Sequence, residues 1–79
     1  MKITAAGNTV VPAYLALISK GYQVSAAGDL WLAQRNGNLF SASDPLELLG
    51  LVAMVEIRGV NWPATDPEIE AFLTAYPPV

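Results

Sequence analysis

The sequence predicts a small α+β domain, and three observations point to that class. Asn36-Gly37 stands between two alternating apolar segments and is a strong two-residue hairpin signal. The stretch from Asp44 to Gly59 is rich in apolar residues and carries clear helix start and stop signals. The strands come together in one run, not alternating with helices, which argues against a parallel sheet. The expected element order is β-α-β-β-β-α-α, with a three- or four-stranded, mainly antiparallel sheet and the helices packed on its aromatic face.

Taken in order, Met1-Lys2-Ile3-Thr4-Ala5 alternates and reads as a short strand at a sheet edge. Gly7-Asn8-Thr9 turns and offers a helix cap at Asn8 or Thr9. A helix follows from Val10 to Lys20, with Pro12 tolerated in its first turn. Its spacing puts Val10, Tyr14, Leu17 and Ile18 on the inner face. Gly21 closes it and leaves no slack before the next segment.

Tyr22–Ala26, Leu30–Arg35 and Asn38–Ala42 read as three strands, with turns at Ala27-Gly28-Asp29 and Asn36-Gly37. Short loops fix the register, and side chains alternate between faces. Tyr22, Val24, Ala26, Trp31, Ala33, Phe40 and Ala42 therefore share one face. Leu30, Leu32 and Leu39 share the other with Gln23, Ser25, Gln34 and Ser41.

The central helix has Asp44 as cap, Pro45 at its first position, Glu47 where a capping box needs a carboxylate, and Gly59 past its end. On a helical wheel it is apolar nearly all round, a pattern normally buried on more than one side. Glu56 falls on the apolar side, between the directions of Leu49 and Val52. A loop carrying Trp62 leads to a last helix opened by the Thr65…Glu68 capping box and ended by Pro77-Pro78. Ile69, Phe72, Leu73 and Tyr76 form its inner stripe.

Composition narrows the function. The chain has 79 residues, 53% of them hydrophobic and only 14% charged, against a usual charged share of about 25%. Such a balance implies one dense core or an apolar surface that meets a partner. With no cysteine there is neither a disulfide framework nor a thiolate metal site, and a reducing, cytoplasmic location is expected. With no histidine, the commonest general base and metal ligand are missing. The serines have no base to activate them, so no catalytic residue, cofactor or metal site is expected. Asp66, Glu68 and Glu70 are what a helix dipole favours in a first turn and lack calcium-loop spacing.

The net charge is −3 and the four cations are scattered, so nucleic acid is not an expected partner. Neither is a membrane, because no apolar run nears the roughly 20 residues of a span. Lys2, the run Val10–Ile18 and Ser25-Ala26-Ala27 imitate a secretory signal only loosely, with Pro12 inside the run.

A protein-interaction module is the expectation that remains: a small adaptor, inhibitor or immunity-type protein that also forms a homodimer. Large exposed apolar patches mark interfaces, and one short chain does not easily cover both its central helix and its leucine face. The residues expected at an interface are Leu30, Leu32, Leu39, Val52, Glu56 and Trp62, with the leucine face or the flank of the central helix near Val52 and Glu56 meeting its own copy; on a monomer the leucine face would be a site for a different protein. The alternative expectation is a small apolar ligand held in a pocket between the sheet and the central helix.

Overall fold

A computed structural model describes all 79 residues. Its elements run α1 (Val10–Ser19), β1 (Gln23–Ala27), β2 (Leu30–Arg35), β3 (Asn38–Ala42), α2 (Pro45–Arg58) and α3 (Asp66–Ala75). The class is α+β, with three helices and one antiparallel sheet ordered β1-β2-β3.

The strand expected at Met1–Ala5 is absent, so the order begins with α1. Ile3 is 88% exposed. One large apolar side chain cannot offset the backbone entropy of ordering a whole strand. Alternation over five residues showed only that a strand was sterically possible.

Neither Asn8 nor Thr9 caps α1 through its side chain; the Thr9 carbonyl instead accepts from the Ala13 N–H at 3.0 Å. The C-terminal end is more tightly specified. Gly21 takes φ +91°, its N–H donates to the Ile18 carbonyl, and the Tyr22 N–H donates to the Leu17 carbonyl. This is a Schellman closure, whose accompanying apolar contact is Tyr22 on Leu17. It drops the chain directly into β1.

Gly28, at φ +60°, turns β1 into β2, and Asn36-Gly37, at φ +52° and +80°, turns β2 into β3. Positive φ at both central residues matches the right-handed twist of the flanking strands. Nothing lies within 4 Å of a side chain added at Gly37. Gly37→Val therefore costs backbone strain alone, and we expect about 1 kcal/mol or more in a urea titration. An unchanged midpoint would mean that the turn does not set the register.

That register pairs Val24 with Ala33, Ala26 with Trp31, Trp31 with Ala42 and Ala33 with Phe40. The helices α1 and α2 cover this side of the sheet. The core comprises Leu17, Tyr22, Ala33, Ala42, Leu48 and Val52, with Val24, Trp31, Phe40 and Leu49 partly buried around it. The rings do not gather into an aromatic cluster. Tyr22 and Phe40 meet edge to face at 5.9 Å, while the centre of the covered face is alanine. Small residues there let α2 approach the sheet, and the rings are displaced to the rim.

The inner face of α1 also differs from the expected stripe. Ala13 and Leu17 are buried, whereas Val10, Tyr14 and Ile18 are exposed at 47%, 36% and 43%. Close contact between two helices favours the narrower side, and Ala13 supplies it.

Asp44 caps α2, its Oδ1 accepting from the Glu47 N–H at 2.8 Å. Glu47 Oε1 in turn accepts from the N–H of Ser43 at 3.3 Å, one residue before the cap. Gly59 ends the helix at φ +87° and ψ −171°, a conformation reserved for glycine. Replacing Asp44 with alanine is expected to lower stability by about 1 kcal/mol. The loss should appear as a lower melting temperature with partner binding unaltered; lost binding at an unchanged melting temperature would make Asp44 a contact residue.

Candidate interaction surfaces

Three apolar surfaces remain uncovered, and each follows from how the elements are placed. The first is the outer face of the sheet. Strand alternation puts Gln23, Ser25, Leu30, Leu32, Gln34, Leu39 and Ser41 on the side opposite the core. No helix packs on that side. Leu30 and Leu39 are 47% and 64% exposed, and Leu32 is half-buried between Ser25 and Ser41. The face carries no charge.

The second surface is α3. Its capping box is complete: the Glu68 N–H donates to Thr65 Oγ1, and Glu68 Oε1 accepts from the Thr65 N–H at 2.8 Å. Arg58 fastens it to the end of α2. Its Nε donates to the Trp62 carbonyl at 2.8 Å and its Nη2 reaches both Glu68 oxygens, at 2.9 and 3.2 Å. Beyond this clamp the helix packs against no other element to any extent, and it has no buried residue. The stripe expected to face inward, Ile69, Phe72, Leu73 and Tyr76, faces solvent instead.

The third surface is a groove of about 420 Å³. It lies beside the first turns of α1, walled by Val10, Val11 and Tyr14 on the helix and by Val24 and Trp31 on the sheet. Pro45, the first residue of α2, closes its end. The region between the sheet and the body of α2 holds no such space, because Ala33, Ala42, Leu48 and Val52 fill it. The groove therefore lies beside α1 and not between the sheet and the central helix, where the alternative expectation put a pocket.

Of the residues expected at an interface, the three leucines lie together on the outer face. Val52 does not: it is fully buried against the sheet and unavailable to a partner. A wheel cannot say which apolar direction of α2 the sheet will occupy. Trp62 is half-buried in the loop, with its carbonyl engaged by Arg58.

Glu56 is exposed and engaged within its own chain. Lys20 Nζ stands 2.8 Å from its Oε1, and the Tyr22 hydroxyl donates to its Oε2 at 3.2 Å. The Arg35 guanidinium lies over the Tyr22 ring at 5.8 Å. This group ties the last turns of α2 to the junction of α1 and β1. Sequence reasoning missed it, and the available signal was weak: Lys20 and Glu56 each lie near the C-terminal end of a helix.

The hydrogen bond and charge of Lys20 hold the Glu56 carboxyl below its usual range, with the Tyr22 hydroxyl assisting. The Thr65 N–H and Arg58 do the same for Glu68. Burial raises the Tyr22 hydroxyl above its ordinary value, as does the nearby Glu56 charge. Both glutamates are depressed on folding, so the unfolded chain takes up protons first as the pH falls. Their contribution is complete above the usual glutamate value and is lost as the pH drops through about 4. For Tyr22 the sign is opposite, and its contribution is lost as the pH rises through about 10. We expect a melting temperature that is flat near neutrality and declines below about pH 4.5, more shallowly in Glu68→Gln. Equal acid slopes in the two proteins would remove Glu68 from this role.

No cluster of three or more acidic side chains converges on a cation position, and no helix is long and apolar enough to cross a membrane. Comparison with protein-family models, curated proteins and solved structures gives no match.

Proposed function

We propose that this chain is a protein-interaction module with no catalytic activity of its own, an adaptor, inhibitor or immunity-type protein. In this reading it acts as a homodimer in the reducing cytoplasm and meets a different protein through its leucine face. One observation carries it: the accessible surface is 6210 Å², where a compact monomer of this mass would expose about 4,600 Å². The Cα radius of gyration agrees, at 14.9 Å against about 12 Å for a compact chain of this length. Eighteen large apolar residues are exposed, and apolar surface of that kind is normally covered by another protein.

The test compares the immobilised chain with a Leu30→Ser, Leu39→Ser variant in extract from the native host. A partner retained by the first and reduced at least tenfold by the second, at equal melting temperature, supports the reading. Equal retention moves the contact off the sheet, and a chain that retains no protein sinks the module.

A second reading, binding of a small apolar molecule, draws on the groove beside α1. Trp31 in its wall gives the measurement: saturable quenching of its fluorescence by a long-chain fatty acid. Absence of saturation removes that reading.

A further inference from the structure

Arg35 is a cation without a counter-ion of its own. Of the four basic side chains, Lys20 pairs with Glu56 and Arg58 with Glu68. Lys2 lies in the exposed stretch before α1, so Arg35 is the one cation of the folded body outside an ion pair. Glu56 does not serve it. Lys20 takes its Oε1 at 2.8 Å and the Tyr22 hydroxyl takes its Oε2 at 3.2 Å. Lys20 and Arg35 thus share the influence of a single carboxylate, and a local surplus of positive charge remains in an acidic chain.

The Arg35 side chain is also held in place. Gly21, at φ +91°, leaves it room: a Cβ added there would meet Arg35 Nε at 3.4 Å and Cδ and Cζ at 3.9 Å. The guanidinium in turn lies over the Tyr22 ring at 5.8 Å. Part of its rotamer entropy is therefore lost on folding and does not oppose a later contact.

Beside it opens a cleft of about 330 Å³, lined by Gly21, Gln23, Gln34, Arg35, Asn36 and Gly37. Its walls contain no apolar residue and no carboxylate. Gln23 and Gln34 are paired across β1 and β2, and the hairpin turn supplies Asn36 and Gly37. Three primary amides, each able to donate and accept, thus surround one guanidinium. The groove beside α1 is apolar by contrast, so the two openings suit different molecules.

We propose that this cleft binds a small polar molecule that carries one carboxylate. The guanidinium presents a planar fork of donors that matches a carboxylate bidentately. The amides of Gln23, Gln34 and Asn36 hydrogen-bond the hydroxylated body of the same molecule. One free cation matches a monoanion; a phosphate dianion calls for a second, and Lys20 is engaged by Glu56. The volume falls at the lower end of small-molecule sites, about 300 Å³. This proposal does not rest on the interaction-module reading, since Leu30 and Leu39, which test that reading, are not among the walls.

Nitrogen-15 NMR of the full chain follows the Arg35 Nε–H and the side-chain amides of Gln23 and Gln34 during a titration with sodium gluconate. Sodium chloride at equal ionic strength is the control. Gluconate is expected to shift these signals saturably, with a dissociation constant on the order of 1 mM. Hexanoate, which has the carboxylate and an apolar body, should bind at least fivefold more weakly, and so should inorganic phosphate. Arg35→Lys keeps the charge but loses the fork, and should weaken gluconate about tenfold. Arg35→Gln should abolish saturation at an unchanged near-ultraviolet circular dichroism spectrum; should that variant fail to fold, Arg35→Lys decides.

Shifts that chloride reproduces, or that do not saturate, overturn the proposal. Undiminished binding by Arg35→Lys removes the bidentate contact, and hexanoate as tight as gluconate removes the role of the amides; either sinks it as stated. Phosphate binding tighter than gluconate overturns the carboxylate as the ligand class.

Discussion

Leu17→Ala is expected to leave the protein largely unfolded at physiological temperature. Leu17 has no accessible surface and packs with Tyr22, Leu48 and Val52, where α1, α2 and the sheet converge. Its carbonyl also closes the Schellman turn, so the side chain and the backbone hold the same junction. Truncating a fully buried leucine costs about 2–5 kcal/mol through lost transfer energy and the remaining cavity. Only 8 of 79 residues are buried. A domain with so small a core belongs near the low end of about 0.05–0.15 kcal/mol per residue.

The expected loss thus approaches the whole stability, and the melting temperature should fall by about 10 °C or more. Leu15 is the control: it lies two residues away on α1 and is 53% exposed. Its replacement by alanine should change stability by roughly 0.5 kcal/mol or less. Equal effects at the two positions would mean that the core is not centred on Leu17.

Ala33→Leu should destabilise by about 1–3 kcal/mol, although leucine is the more apolar residue. Ala33 is fully buried on the central strand, opposite Val24 and Phe40, with α2 packed on that side of the sheet. Three further heavy atoms there displace α2 or force strained rotamers. Gln34→Leu, one residue on, places the same side chain on the uncovered face and should be nearly neutral. The sign decides the matter. A stabilised Ala33→Leu protein would show that space remains between sheet and helix, and with it room for the ligand pocket first expected there.

The two substitutions separate what is local in this protein from what is not. Asp44, Thr65 and Asn36-Gly37 act through atoms within a few residues of themselves. The hydrogen bond from Glu47 to Asp44, the Thr65–Glu68 box and the positive φ at the hairpin need no knowledge of the rest of the chain. The caps of α2 and α3, the turn positions and the strand register beside Asn36-Gly37 were therefore legible in the sequence, whereas the start of α1, which has no side-chain cap, was not. So was the composition of the outer face, since a register and a period of two assign it without reference to any helix.

Burial was not legible, because it depends on what stands opposite. The stripe on α3 announces a face that favours cover, and its periodicity is the same whether the cover is its own core, a second copy or water. Val52 and Ile57 are equally apolar on the wheel of α2, yet one is fully buried and the other 83% exposed. Only the position of the sheet distinguishes them. The alternation at Met1–Ala5 resembled that of a true strand, but no neighbour pairs with it. The helix alone does not show what Glu56 meets: Lys20 and Tyr22, 36 and 34 positions earlier in the chain, give it its contacts. Local chemistry, complete within a turn or a cap, was determined by the sequence itself. Which apolar faces are covered, and which are left open, was decided by tertiary packing, where small alanines outranked large rings because they allow closer approach.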